Sequence, residues 1–373
     1  MPEIASQTVP LPDWPMFGLT DDVRPALAAA VAAGRPVALA TIFAVIGGSP
    51  RPVGSQMLIN MLGDTGEPHG FLSGGCVEAD ICRHAQDSLA DGRPRRLAYG
   101  EGGPPDIRLV CGGRIEVLLE PIPPDDPAVA ELLALAAARR EAIWISDGAN
   151  RLCRPAAVLS PDPDLHEPKP PGANAFAPLL QAMADPSFGG AVLGRGEAVA
   201  LRRPPRRRLI AVGGDPTALA IANLALQSEF ETWLVRPKGP SGPPPLAGLN
   251  YDRRPAAEAL AGIGLDPWTY VAVATHDLEA DEAALITALA SSAAYVGVLG
   301  ARARLPERLA RLRVRGVAEA QLARLHAPIG LDLGGKAPFE VAVAVLAEVI
   351  AQACALRPSA WLSLDSDAAE AAA

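Results

Sequence analysis

The first third of the chain alternates short apolar runs with glycine-rich breaks. A helical stretch around Pro25 to Ala33 leads into PVALATIFAV, a β-type run that ends in the loop IGGSPRPVGSQ, Ile46 to Gln56. MLINML then reads as a second strand and GDTGEPHG as the turn after it. Past GFLSGGC, the residues Val77, Ile81, Ala85 and Leu89 recur every four positions and predict one face of an amphipathic helix. DIRLVCGG and RIEVLLEP predict two strands that meet at Cys111-Gly112-Gly113. Three glycine corners, Gly47-Gly48, Gly74-Gly75 and Gly112-Gly113, therefore punctuate one strand-rich region. Glycine at such corners permits positive φ and close backbone approach.

From Pro121 to Leu209 the pattern is less regular. AVAELLALAAARR is helical, EAIWISD, AAVLSP and GEAVALRR are short strands, and SPDPDLHEPKPPGANAF is a proline-rich exposed loop. RRPPRRR, ending at Arg208, reads as a solvated linker. Beyond it strand and helix alternate through RLIAVGG, a helix from Pro216, ETWLVRP, YVAVATHD, a helix around Glu279 to Leu289, and YVGVLG. Helices in PERLARLRVRG and APFEVAVAVLAEVIAQA close the series, and this alternation implies a parallel sheet wrapped by helices. The expected class is α/β: a strand-rich α+β N-terminal domain at 1–122, a connecting region at 123–206, and a parallel α/β domain at 207–373.

Composition narrows the function classes. At 373 residues the chain exceeds the usual size of one core, which agrees with two domains. Hydrophobic residues make up 49% and aromatics only 4%, so the cores must be built from Ala, Val, Leu and Ile. A net charge of −9 argues against a nucleic-acid or acidic-membrane binder. The N-terminal MPEIASQTVPLPDWPMFG lacks the pattern of a secretory signal, and the run Val37 to Ile46 is too short to span a bilayer. A cytoplasmic protein is expected. The five cysteines are scattered, without CxxC, which suggests free thiols, and the histidines do not cluster at zinc spacings.

Cys76 follows Ser73-Gly74-Gly75 at the predicted helix start, where unpaired amides and the helix dipole favour a thiolate. It equally suits a small apolar residue at a tight corner. Cys111 has the same two readings, Cys82 reads as structural and Met57 as core. Glu78 fits a first-turn acid, and Arg51, between two prolines, either projects from a rigid turn or offers a fork to phosphate.

Taken in order, GGSPRPVGSQMLI, LSGGCVEADI, YG, CGGRIEVLLEP, VATHD, YVGVLGARAR and LHAPIGLDLGGKAPFEVAVAVLAEVIA resemble the XdhC/CoxI family of xanthine dehydrogenase and carbon monoxide dehydrogenase accessory proteins. The resemblance implies a chaperone that binds the molybdenum cofactor transiently, with no turnover of a metabolite. It also implies sulfuration by a cysteine desulfurase, insertion into a molybdenum hydroxylase apo-enzyme, a homodimer, and a Rossmann-like C-terminal domain. Carried onto this chain, the cofactor-binding candidates are Ser49, Arg51, Gly54, Ser73, Gly74, Gly75, Cys76, Glu78, Cys111, Gly112, Gly113, His276 and Asp277, with Cys76 or Cys111 facing the metal.

One motif departs from the family. Where a dinucleotide turn has its second glycine, this chain reads Gly213-Gly214-Asp215-Pro216, and Asp before Pro is a strong helix cap. Arg236 stands where an acid usually meets the ribose. NAD(P) binding is therefore expected to be poor or absent, which weakens the alternative of an NAD(P)-dependent oxidoreductase. His276-Asp277 remain candidates at the sheet's carboxyl edge, or simply cap the helix that follows them, and Lys336 could reach the same edge.

Overall fold

The computed structural model describes residues 11–62, 65–104, 107, 109, 112–156, 173–184, 192–195, 198–275, 278–355 and 361–363. The chain divides into two compact units, one of Met1–Pro205 with Arg357–Ala373, the other of Arg206–Leu356.

The first unit is built on alternation. Along β1 (Val37–Ile46), Val37, Leu39 and Phe43 face one core while Ala38, Ala40 and Ile42 face another. β1 sits at the centre of an antiparallel sheet, flanked by β2 (Gln56–Leu62) and β3 (Thr65–His69) on one side, β5 (Arg114–Ile122) and β4 (Arg95–Tyr99) on the other. The alanine face is covered by α2 (Glu78–Asp91) through Val77, Ile81, Cys82 and Ala85. The opposite face meets α1 (Arg24–Ala32), α3 (Pro127–Ala137) and a second sheet.

The short strands expected in the connecting region at 123–206 assemble into that second sheet. β6 (Ala142–Ser146), β7 (Arg151–Pro155), β8 (Val192–Arg195) and β9 (Ala198–Arg203) form it, with α4 (Ala173–Ala184) packed on its far face. β7 lies just ahead of AAVLSP, the run that predicts a strand; residues 157–161 of that run are outside the described residues. GDTGEPHG also differs, because its second half is β3, an edge strand that tolerates Pro68. The C-terminal residues, expected in the parallel domain, cluster instead with the first unit, since Trp361–Ser363 pairs with β8.

In the second unit β10 (Arg208–Val212) is central. β11 (Glu231–Val235) and β12 (Asn250–Asp252) lie to one side, and β13 (Thr269–Val273), β14 (Tyr295–Val298) and β15 (Leu325–His326) to the other, all parallel. This is the doubly wound order, with its switch point between β10 and β13. α5 (Pro216–Gln227) and α10 (Pro338–Ala355) cover one face, and α6 (Ala256–Ile263), α7 (Leu278–Leu289), α8 (Leu305–Val314) and α9 (Glu319–Leu322) the other. Among the described residues, no helix is long and apolar enough to cross a membrane.

Candidate functional site

The Gly47-Gly48 and Gly112-Gly113 corners of the first unit meet at one end of its antiparallel sheet. β1 ends and β5 begins there, and at Gly113 a side chain would run into the Gly48 carbonyl. Gly100, just past β4, is equally tight against the Gly113 carbonyl. Only glycine lets three backbones meet this closely. Tyr99, in register with Ile115, donates its hydroxyl to Asp80 at 2.8 Å, which ties the first turn of α2 to the same end of the sheet.

Between β1 and β2, Ser49 accepts from the Arg51 N–H (3.3 Å) and donates to the Arg51 carbonyl (2.8 Å). The Gly54 N–H, at φ +86°, returns the chain to the Ile42 carbonyl at 2.8 Å. The Arg51 guanidinium lies 4.7 Å over the Phe71 ring and pairs with Asp21. Sequence reasoning missed Phe71 and Asp21 as partners. Phe71 could have been noticed, because it directly precedes the Leu72-Ser73-Gly74-Gly75 turn; nothing in the sequence singles out Asp21.

The turn itself is organised around Glu78. Its carboxylate is fully buried. One oxygen accepts from the N–H groups of Leu72 (3.0 Å), Ser73 (2.7 Å) and Gly74 (3.3 Å). The other accepts from the Ser73 hydroxyl (2.7 Å) and the N–H groups of Gly75 (2.9 Å) and Val77 (3.2 Å). Ser73 Oγ in turn accepts from the Cys76 N–H at 2.9 Å. Burial opposes the charge on Glu78, but these donors outweigh it and hold the carboxyl below its ordinary range.

Two expectations change as a result. The amides of Ser73, Gly74 and Gly75 are already engaged by an internal carboxylate and do not stand open to an incoming phosphate. Glu78 itself faces inward and shapes the turn. Cys76 also lies two residues before the first residue of α2, not within its first turn.

The thiols separate clearly. Cys76 and Cys354 are exposed, whereas Cys82 and Cys153 are buried, and burial pushes both buried thiols up to about 12. Gly112, at φ +72°, donates its N–H to Leu109 at 3.0 Å and carries the chain into Gly113. Cys111, His276 and Asp277 are outside the described residues. Among the described residues, no group of three or more His, Cys, Asp or Glu is placed to hold a metal ion.

In the second unit the turn after β10 is closed from within. Asp215 is the N-cap of α5, and its carboxylate accepts from the Ala218 N–H at 2.9 Å. A side chain at Gly213 would strike the Ala274 carbonyl, so β10 and the end of β13 approach as they do in nucleotide folds. Gly214 is covered by the side chain of Arg236. Farther along the sheet, Glu348 of α10 accepts from Tyr295, from the Gly330 N–H (2.7 Å) and faces His326 Nδ1 (3.0 Å). Lys336 contributes a backbone N–H to Glu340 at 2.9 Å, part of the start of α10.

Comparison with known proteins covers both units. A model of the XdhC and CoxI family matches residues 30–100, and a model of the XdhC Rossmann domain matches residues 209–349. The chain is 30% identical over 336 residues to the molybdenum cofactor insertion chaperone PaoD of Escherichia coli strain K12, covering 89% of each. It is 26% identical over 326 residues to a probable xanthine dehydrogenase component of Bacillus subtilis strain 168, covering 84% of this chain and 92% of that one. The crystal structure of a xanthine dehydrogenase from Bacillus halodurans shares the fold, with a TM-score of 0.64 at 22% identity over 90% of this chain and 96% of that one.

Proposed function

The chain belongs to the XdhC and CoxI family, and from that premise we propose that it carries the molybdenum cofactor to a molybdenum hydroxylase apo-enzyme of the xanthine dehydrogenase or carbon monoxide dehydrogenase type. On this reading a cysteine desulfurase exchanges an oxo for a sulfido ligand while the cofactor is held. The carrying observation is the 30% identity, over 89% of both chains, to an insertion chaperone. Homodimerisation and a cytoplasmic location belong to the same reading.

The residues suit such a cargo in a specific way. Molybdopterin presents a soft, sulfur-ligated metal, a phosphate and a pterin edge, so it asks for a thiol, a cation and backbone polar groups. Cys76 offers an exposed thiol on a turn whose geometry Glu78 fixes. Cys111 is the second thiol of this reading. Arg51, on a loop set by Ser49 and Gly54, supplies a cation that reaches the turn through Phe71. His276 and Asp277 are held as candidates in the second unit. There, a dinucleotide is not the expected ligand, because the Asp215 carboxylate occupies the α5 amide that a pyrophosphate would use.

The test is direct. The full chain, purified from a host that makes the molybdenum cofactor, should release a fluorescent pterin on acid oxidation. Cys76→Ala or Cys111→Ala should lower that pterin content more than Cys82→Ala, whose thiol is buried. Absence of pterin from the wild type would refute the reading, and equal retention in all three variants would remove the thiols from it.

A further inference from the structure

The carboxyl ends of β11 and β12 carry a cluster of cations that the carrier reading does not use. Arg236 directly follows β11, in the place where a dinucleotide fold usually keeps an acid for ribose hydroxyls. Its side chain lies flat against Gly214, so close that a side-chain carbon there would collide with its Nε and sit 2.9 Å from its Cδ. The backbone around it is fixed from both strands. The Arg236 N–H donates to the Asp252 carbonyl at 2.9 Å, and the Gly239 N–H returns to the Arg236 carbonyl at 3.0 Å. Arg253 Nε caps that turn at the Gly239 carbonyl, 2.8 Å away, and Tyr251 donates to Pro240 at 3.0 Å.

The nearby carboxylates are committed elsewhere. Asp252 pairs with Arg254 at 2.5 Å, and Asp215 accepts from Ala218. Among the described residues, no acid pairs with the Arg236 guanidinium. Lys238 and Arg253 are exposed, the Lys238 N–H donating to the Arg253 carbonyl at 3.3 Å, and Arg236 is half-buried against Gly214. A half-buried guanidinium with two flanking cations selects an anion, and its planar fork matches a phosphate.

We infer that this cluster is a binding site for a phosphomonoester, with Arg236 as the principal contact and Lys238 and Arg253 as flanking charges. The Asp215 carboxylate restricts the ligand further. A dinucleotide bound through Arg236 would have to lead its pyrophosphate to the start of α5, where Asp215 repels it and has already taken the Ala218 amide. The site therefore takes a terminal phosphate on a sugar in preference to a bridging pyrophosphate. It stands whether or not the first unit carries molybdopterin.

Titration calorimetry of the full chain with 2′-AMP, adenosine, inorganic phosphate, NAD and NADP tests this. The expected order is binding of 2′-AMP, weaker binding of NADP, and none of adenosine or NAD. Inorganic phosphate binding as tightly as 2′-AMP would assign recognition to the phosphate alone, and much weaker binding would assign part of it to the nucleoside. Arg236→Gln should lower the affinity for 2′-AMP about tenfold or more, since it removes a charge-assisted contact, while leaving pterin content unchanged. Asp215→Gly should raise NADP to at least the level of 2′-AMP. Equal heats for 2′-AMP and adenosine, or an unchanged Arg236→Gln, would overturn the proposal. Should Arg236→Gln fail to fold, the surface pair Lys238→Gln with Arg253→Gln must weaken 2′-AMP binding severalfold, and unaltered affinity there would overturn it equally.

Discussion

Glu78→Gln isolates the buried carboxylate with almost no change of shape. Each carboxylate oxygen takes three donors: Leu72, Ser73 and Gly74 N–H on one, Ser73 hydroxyl, Gly75 N–H and Val77 N–H on the other. The glutamine amide keeps one acceptor and turns a donor toward the other three. A buried donor left without its acceptor costs about 1–3 kcal/mol. Gly74 and Gly75 lie at the exposed rim, where water can replace part of the loss, so the expected destabilisation is about 3 kcal/mol. Urea unfolding at neutral pH should show this as a lower midpoint with an unchanged slope. The pH dependence supplies an independent check. The folded carboxyl titrates below its ordinary value of 4.5, so its stabilisation is fully present above that value and is lost as pH falls through the lower folded pKa. Glutamine does not titrate, and the gap between the two proteins should therefore narrow in acid. A variant within about 0.5 kcal/mol of wild type at neutral pH, below the range expected for even one stranded donor, would refute the reasoning. So would a gap that stays constant down to strongly acid pH.

Two further outcomes follow from burial. Brief alkylation of the native chain should label Cys76 and Cys354 and spare Cys82 and Cys153, whose thiols burial pushes up to about 12; peptide mapping reads this, and early labelling of Cys82 would contradict the packing of α2. Arg151→Met should cost about 3–5 kcal/mol, because Arg151 bridges the buried Glu120 (3.3 Å) and the α3 cap Asp126 (2.8 Å). Burial already raises the Glu120 carboxyl, so without the arginine the loss should grow as pH rises above the carboxylate range, and a pH-independent cost would refute the pairing.

Strong periodicity was legible. The strands β1, β2, β5, β10, β11, β13 and β14 and the helices α2, α3, α5, α7, α8 and α10 coincide with apolar runs, because each is buried on at least one continuous face. Edge strands were not. β3 carries Gly66 and Pro68, and β4 carries two arginines, since an edge needs fewer apolar side chains and tolerates a missing ladder donor. β12 has only three residues, too few for any period to register. At the candidate site, the residue types and the turns could be read from the sequence, and so could the Asp215 cap, because Asp-Pro has a local meaning. The inward turn of Glu78 could not, since a first-turn acid five residues from Ser73 fits a solvent-facing cap as well as a buried one. Only tertiary packing of Leu72 and Val77 closes the water out.

The two glycine-rich turns share one device. In each, a carboxylate from the chain itself occupies amides that a bound anion would otherwise satisfy: Glu78 in the turn before α2, Asp215 in the turn before α5. A turn closed in this way is formed before any ligand arrives and does not depend on one for its shape, which a carrier that must release its cargo requires. The same closure moves recognition away from backbone amides. What stays available is side-chain chemistry, a thiol at Cys76 beside the first turn and a guanidinium at Arg236 over the second. Removing the internal carboxylate should therefore strengthen anion retention at either turn while loosening the turn itself, the opposite of what a ligand-binding acid would show.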